Sequence, residues 1–228
     1  MKEFLSAIDI GSSLTRVVVG RLADESLEVV GVGAVPSRGV RGGVVVNIEN
    51  VVQSIADAAR EAELMSGMMV QDAYVNVSGK HLHGENSRGV VAITNRERVV
   101  TENDVYRVIE GAQYVRIPAD QEILHVLARE FSVDDQIGIK DPIGMTGVRL
   151  EGEVHIVMAA KTALTNLNKA VNGAGIRMVD GIMSSLASAE SSLSSGEKDL
   201  GTVVVDMGGG VCDIAIYLEG GLYFSSVV

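Results

Sequence analysis

The chain of 228 residues contains no tryptophan, only three prolines and a single cysteine, Cys212. One cysteine excludes a disulfide framework, so the chain suits a reducing compartment such as the cytosol. Aromatic residues make up 4% of the sequence, whereas hydrophobic residues of all kinds make up 46%. We therefore predict a core of valine, isoleucine, leucine, alanine and methionine, in a chain long enough to form more than one domain.

Positive charge and long apolar segments are also scarce. The formal net charge is −11 at pH 7, which argues against nucleic acid as a partner because phosphate backbones need basic neutralisation. A bound nucleotide would instead be held by backbone N–H groups and a metal ion. No stretch approaches the ~20 apolar residues of a membrane-spanning helix. Asp9 interrupts the apolar stretch Phe4–Ile10, so no secretory signal is predicted.

One signature occurs twice: an apolar strand, an aspartate, a glycine-rich turn and a second apolar strand. The first copy covers residues 7–19 and the second covers residues 203–216. Glycines let backbone N–H groups approach phosphate oxygens because no Cβ intervenes, and aspartates at strand ends can hold a hydrated Mg²⁺. A single turn of this kind is common in hairpins. Two copies predict a pair of hairpins that grip a polyphosphate from both sides.

The order of predicted elements divides the chain into three parts. Strands and helices alternate up to about residue 83, and the alternation returns from about residue 162. The residues between are richer in charge and include a strand predicted to be antiparallel and half-buried, Val148–Met158. We predict one discontinuous α/β domain (1–83 and 162–200), an inserted α+β domain (84–161) and the start of a second α/β domain (201–228).

Four stretches resemble the FtsA family of bacterial cell-division proteins, within the superfamily of actin, Hsp70 and sugar kinases. They are AIDIGSS, AYVNVSGKHLHGENSRGVVAI, HVLAREFSVDDQIGIKDPIGMTGVRLEGEVHIV and VVVDMGGGVCDIAIY. The third is the most specific, because it belongs to the inserted domain that sets this family apart from actin. The resemblance covers essentially the whole chain. It implies an actin-like (ribonuclease H-like) fold with an incomplete second half.

The resemblance also implies that the chain binds ATP and Mg²⁺. The residues that match the two phosphate loops of the family are Asp9, Gly11, Ser12, Ser13, Asp206, Gly208, Gly209 and Gly210. Asp9 and Asp206 are expected to hold the Mg²⁺ through water. Asp213 matches the second loop as well, but it lies in an apolar strand, where it either faces the ligand or satisfies backbone groups.

Family members polymerise at the division site on the inner face of the cytoplasmic membrane. There they tether FtsZ filaments and recruit later division proteins, partly through the inserted domain. The resemblance therefore implies three kinds of partner: FtsZ, other copies of the chain and later division proteins.

Family members are also longer than this chain. We therefore expect it to be part of a longer protein, without the adenosine pocket, the FtsZ-tail site and the C-terminal membrane-binding helix. Residues 201–228 are expected to expose an apolar face on each side of their sheet and to favour self-association.

Two departures from the family pattern bear on hydrolysis. Val211 stands where relatives often carry threonine, and Ser184-Ser185 stand where many superfamily members place Glu or Gln-Pro to orient the attacking water. We therefore expect weak or absent ATPase activity. Two alternatives stay open: an interaction scaffold with a vestigial nucleotide site, and a kinase of the same superfamily, for which we find no motif of a substrate cleft.

Overall fold

Strands dominate the part of the chain that the computed structural model describes, residues 4–23 and 26–228. The strands are β1 (Phe4–Ile10), β2 (Leu14–Ala23), β3 (Ser26–Pro36), β4 (Val40–Arg41), β5 (Val44–Val45), β6 (Asp72–Val77), β7 (His83–Ala92), β8 (Gln121–Val133), β9 (Gln136–Ile139), β10 (Arg149–Ala160), β11 (Arg177–Met183), β12 (Thr202–Met207), β13 (Cys212–Leu218) and β14 (Gly221–Val227). The helices are α1 (Ile48–Ser66), α2 (Glu102–Ala112), α3 (Lys161–Gly173), α4 (Ser184–Ser192) and α5 (Ser195–Leu200).

A five-stranded mixed sheet in the order β11–β6–β1–β2–β3 unites residues from both sides of the predicted insertion. β1, β2 and β3 are antiparallel neighbours, whereas β6 and β11 run parallel to β1. The carboxyl ends of parallel strands lie at one edge of a sheet. The turn after β1 and the start of α4 after β11 therefore meet at the same edge, which is where the candidate site lies.

Helix α1 covers one face of this sheet, as its apolar stripe predicts. Asn47 is the N-cap, because its side chain accepts a hydrogen bond from the Asn50 N–H at 3.0 Å. Two α1 side chains also reach the outer edge of β3. The Ala34 N–H donates to Glu61 at 2.9 Å, and the Val32 N–H donates to the Met65 sulfur at 3.4 Å. The helix thus covers both a face and part of an edge of the sheet.

Residues 83–160 form a second body, which we call the middle lobe: a four-stranded sheet in the order β7–β10–β8–β9 with α2 on one face. The sequence Thr101-Glu102-Asn103-Asp104 predicts a helix start, and this is confirmed, since Thr101 and Asp104 form a reciprocal capping box at the N-terminus of α2. β10 pairs with β7 and β8 and belongs to a different sheet from β1. This pairing supports the predicted inserted domain, whose boundaries stay a prediction.

The half-buried pattern predicted for residues 148–158 is wrong, although the antiparallel pairing is confirmed. β10 is the inner strand of the lobe, and it is covered on both faces: Glu151 is 4% exposed and His155 is 1% exposed. One face contributes Val154 and Ile156 to a cluster with α2, while Val157 joins the core of the first sheet. Charged and apolar residues alternate in this strand, but Glu151 and His155 are buried like the apolar set, and only Arg149 is exposed.

Five elements were not predicted: β4 and β5, which form a two-stranded ribbon in a glycine-rich segment, and β7, β9 and α5. β7 is an edge strand of mixed polarity, and β9 lies within a segment that its glycines and proline mark as a loop. α5 falls in residues 194–201, which we predicted to be a polar link. It is only six residues long, and a capping box between Ser194 and Glu197 starts it.

The third sheet, β12–β13–β14, is antiparallel and follows the predicted strands closely. The expectation that it exposes an apolar face on each side is wrong for one face. Ala215, Tyr217 and Leu222 are buried in the same core as the first sheet, because α4, α5 and the middle lobe pack against them. The opposite face remains exposed, with Val203, Val205 and Met207 at its surface.

Among the described residues, no helix combines the length and the apolar character that crossing a lipid bilayer requires.

The contact between β3 and α1 yields a stability prediction. A Cβ added at Gly33 would overlap the Ala58 carbonyl oxygen and lie 2.8 Å from the Glu61 Cβ. Gly33→Ala should therefore lower the free energy of unfolding by about 1–3 kcal/mol, as overpacking does. Gly111→Ala is the matched control, because nothing lies within 4 Å of its added Cβ and alanine favours its helix. Urea unfolding of both variants tests this, and equal midpoints would contradict it.

Candidate functional site

Two hairpins face each other across a cleft of about 310 Å³. The β1–β2 hairpin contributes the turn at residues 11–13, and the β12–β13 hairpin contributes the turn at residues 208–211. The turns touch: a Cβ added at Gly210 would lie 2.5 Å from the Ser12 Oγ, and one added at Gly209 would overlap the Ser13 Oγ. Only glycine fits at these two positions, as the doubled signature predicts.

The structure brings the predicted site residues together. Those that line the cleft are Asp9, Gly11, Ser12, Ser13, Asp206, Gly208 and Gly209. Gly210 lies beside them, against Ser12. Asp213 also lines the cleft, so it faces the same space as the turns. The arrangement has the backbone donors and the carboxylates that the sequence predicts for a polyphosphate site, and the role of each residue stays a prediction.

The two hairpins carry opposite charges at equivalent positions. Asp9 pairs across its ladder with Arg16, and their side chains form an ion pair at 2.8 Å. Asp206 pairs across its ladder with Asp213, which lies seven residues later just as Arg16 does. The first hairpin therefore presents a carboxylate paired with a cation to the cleft, and the second presents two carboxylates.

Hydrogen bonds hold both carboxylates of the second hairpin. The Ser188 hydroxyl in α4 donates to Asp206 at 2.6 Å, and the Ser78 hydroxyl lies 2.7–2.8 Å from both oxygens of Asp213. Burial raises the pKa of Asp213 to about 6; the hydrogen bond from Ser78 opposes this shift, and the charge of Asp206 adds to it. Residues before and after the middle lobe thus fix the second hairpin.

Sequence reasoning missed three residues that line the cleft: Arg16, Asn76 and Ser78. Asn76 accepts a hydrogen bond from the Ile10 N–H at 2.7 Å and donates to the Ser184 Oγ at 3.2 Å, so it joins β1, β6 and the start of α4. The spacing from Asp9 to Arg16, which matches that from Asp206 to Asp213, was the signal available in the sequence. A polar residue within the apolar strand β6 was the signal for Asn76.

Ser184 lies in the cleft at the first residue of α4, as the departure from the superfamily pattern predicts. Ser185 is buried, and its hydroxyl has no hydrogen-bond partner within the described part of the chain. These serines offer no carboxylate or amide that would orient a water molecule.

The donor set of the cleft fits Mg²⁺. Magnesium in nucleotide sites takes one or two carboxylates and completes its shell with water and phosphate oxygens, and Asp9 and Asp206 supply one carboxylate from each hairpin. A group of three or more His, Cys, Asp or Glu side chains arranged for a metal is not found among the described residues, so phosphate and water would have to complete the shell.

Sequence comparison identifies relatives of the whole chain. A profile described as "SHS2 domain inserted in FTSA" matches residues 79–158. Cell division protein FtsA of Pseudomonas aeruginosa is 47% identical over 227 residues, and that of Bacillus subtilis is 40% identical over 226 residues. The chain belongs to the FtsA family. These alignments cover 99% of the chain but 54% and 51% of the relatives, so it spans about half the length of the curated relatives it matches.

Solved structures share the fold at low sequence identity. The PilM–PilN type IV pilus biogenesis complex matches 98% of the chain and 61% of its own chain, with a TM-score of 0.67 and 15% identity. Ethanolamine utilization protein EutJ from Carboxydothermus hydrogenoformans matches 99% of the chain and 51% of its own, with a TM-score of 0.52 and 12% identity. The predicted actin-like fold of this FtsA-family chain is confirmed, and these two likenesses bear on the fold alone.

The charge asymmetry of the cleft yields a binding prediction. Asp9→Ala and Asp206→Ala should each weaken Mg²⁺-dependent ATP binding by about tenfold, which corresponds to about 1.4 kcal/mol, because each loses a carboxylate near the metal. Without Mg²⁺, Asp9→Ala should bind ATP at least as well as the unmodified protein, since it releases Arg16 to the phosphates. Titration calorimetry with and without Mg²⁺ measures both effects. Asp57→Ala, on α1 away from the cleft, is the control, and equal affinities in all variants would refute the assignment.

Proposed function

We propose that this chain is the nucleotide-binding part of an actin-like cell-division protein that binds ATP with Mg²⁺. The observation that carries the proposal is the meeting of two Asp-Gly hairpins across one cleft in a chain of the FtsA family. Backbone N–H groups of residues 12–13 and 209–210 would surround the phosphates, since those of Gly11 and Gly208 donate within their own turns, and Asp9 and Asp206 would hold the Mg²⁺ through water. Arg16 would exchange its ion pair with Asp9 for a phosphate oxygen.

Weak or absent hydrolysis is part of the proposal. An attacking water needs an acceptor or an orienting amide close to the terminal phosphate, and the start of α4 offers Ser184 and Ser185 there. Val211 adds only its backbone N–H to the second turn. In this proposal ATP acts as a ligand that holds the two hairpins together, and its hydrolysis is not required for each cycle of assembly.

The wider role follows from family membership rather than from contacts within these residues. The relatives are named cell division proteins, and we propose that the protein assembles into filaments at the division site on the inner face of the cytoplasmic membrane. There it would link FtsZ filaments to the membrane and recruit later division proteins. As the family resemblance implies, part of this recruitment would go through the inserted domain, residues 84–161.

A groove of about 360 Å³ between the middle lobe and the first sheet offers a binding surface for a recruited partner. Among the described residues, no strand pairs with the outer edge of β11 or with that edge of β8 before Phe131. The residues that line the groove are Glu122, Ile123, Leu124, Leu164, Thr165, Asn168, Met178, Val179, Asp180 and Gly181. Two unpaired strand edges, apolar side chains and two carboxylates suit an extended basic segment of a partner.

One experiment separates the proposal from its alternatives. The protein is mixed with ATP and Mg²⁺, and sedimentation and phosphate release are measured together. We expect ATP-dependent assembly with slow or no phosphate release. Rapid phosphate transfer to an added small acceptor would indicate a kinase instead, and absence of ATP binding would indicate a scaffold with a vestigial site.

The groove yields a second expectation. Glu122→Lys with Asp180→Lys should reduce the recruitment of later division proteins to the septum, because the two lysines repel a basic segment. Assembly with FtsZ should be unchanged, since the FtsZ-tail site that the family resemblance implies lies outside this chain. Fluorescence microscopy of labelled division proteins measures recruitment, and Glu102→Lys, an exposed charge reversal on the same lobe, is the control. Normal recruitment in the double variant would refute this use of the groove.

A further inference from the structure

A buried histidine of the middle lobe contacts the sheet that carries the second hairpin. His155 lies on the inner strand β10 and is 1% exposed. Its Nδ1 lies 2.6 Å from the Asn86 Oδ1, and its Nε2 lies 2.8 Å from the Ser225 Oγ on β14. The Asn86 amide in turn donates to the Tyr223 carbonyl of β14 at 3.0 Å. Two strands of the lobe therefore bind one strand of the third sheet.

The hydrogen bonds determine which ring nitrogen carries the proton. Asn86 donates its NH₂ group to Tyr223, so its oxygen faces His155 and must accept from Nδ1–H. Nε2 of the neutral ring is then an acceptor, and the Ser225 hydroxyl donates to it. Burial, with the charges of Arg129 and His83, lowers the pKa of His155 to about 4, which keeps the ring neutral at physiological pH.

Ser225 lies on the same face of its sheet as Asp213. Ser225 pairs with Ala215 and Val227 pairs with Asp213, so Asp213, Ala215 and Ser225 point toward the interior together. Asp213 is 3% exposed and is held by Ser78 at the cleft. The paired strands β13 and β14 thus carry the Asp213 carboxylate at the cleft and, two residues further along the ladder, the Ser225 hydroxyl that contacts His155.

The side chains around the contact between His155 and Ser225 are tightly packed. A Cβ at Gly84 would lie 2.7 Å from the His155 Nε2 and would overlap the Ser225 hydroxyl. The Arg129 guanidinium lies 4.6 Å from the centre of the Tyr223 ring and forms an ion pair with Glu153 at 3.1 Å. A displacement of β14 must therefore move side chains of β7, β8 and β10 with it.

We propose that the middle lobe is a positioning element of the nucleotide site: His155, through Ser225 on β14, sets the place of the three-stranded sheet that carries Asp206 and Asp213. A nucleotide that draws the second hairpin toward the first then shifts the middle lobe. By reciprocity, a partner bound to the lobe changes the affinity for nucleotide by the same factor. This inference rests on the proposed function, because it requires ATP in the cleft.

Hydrogen exchange measured by mass spectrometry on the intact protein, with and without Mg²⁺-ATP, tests the inference. In the unmodified protein, ATP should slow exchange in residues 206–213 and change it in β7 and β10. In Ser225→Ala, ATP should still slow hydrogen exchange in residues 206–213, whereas it should no longer change hydrogen exchange in the lobe. The ATP affinity of this variant should change by about fivefold, the lower end of typical coupling.

Ser226→Ala is the matched control, since Ser226 is the next residue, pairs with Ile214 and points to the opposite face. His155→Gln and His155→Asn form a second pair. The glutamine oxygen can take the place of Nε2 and accept from Ser225, whereas the shorter asparagine reaches only the place of Nδ1. Gln should retain the response of the lobe, and Asn should lose it.

Two kinds of failure are distinguishable. Suppose that ATP binds and protects residues 206–213, but hydrogen exchange in the lobe does not change, or changes equally in Ser225→Ala. The coupling through His155 and Ser225 is then refuted, and the proposed function stands. If calorimetry detects no ATP binding to the unmodified protein, the proposed function is refuted, and the coupling fails with it.

Discussion

The contact between two glycine-rich turns is the constraint on which the rest of this structure depends. Residues 209 and 210 approach Ser13 and Ser12 so closely that no side chain fits between the turns. Such proximity needs two sheets held at a fixed separation. At the cleft, hydrogen bonds from Ser78 and Ser188 to the carboxylates of the second hairpin maintain this separation. Away from the cleft, an apolar core shared by the two sheets maintains it.

The doubled hairpin is a repeat in backbone but not in charge. Seven residues after its aspartate, the first copy has Arg16 and the second has Asp213. A chain with a net charge of −11 thus places a guanidinium on one side of the cleft and a second carboxylate at the equivalent position on the other side.

Sequence patterns predicted the fold well where local rules and tertiary contacts agree. The sequence predicts the N-cap at Asn47, a helix start at residues 101–104, the strand Arg177–Met183 and the three strands of the third sheet. All are confirmed, because caps and apolar runs act over a few residues. The predicted exposure of Glu151 and His155 is wrong because burial of their face depends on strands far away in sequence. The same reason hid Asn76 and Ser78, whose place in the cleft follows from sheet order, whereas Arg16 was missed although it pairs with Asp9 within one hairpin. The assignment of Asp9 and Asp206 to a metal stays a prediction.

Side chains of α1 cover part of the β3 edge, and this limits how copies of this protein can associate there. Glu61 and Met65 of α1 take up the outward N–H groups of Ala34 and Val32, so those backbone groups are not available to a strand from a neighbour. Growth by extension of the sheet at that position would first have to detach the helix. At the β3 edge, copies must therefore join through side-chain surfaces, whose contacts are formed and released without local unfolding. That favours filaments that exchange subunits over the irreversible stacking typical of open sheet edges.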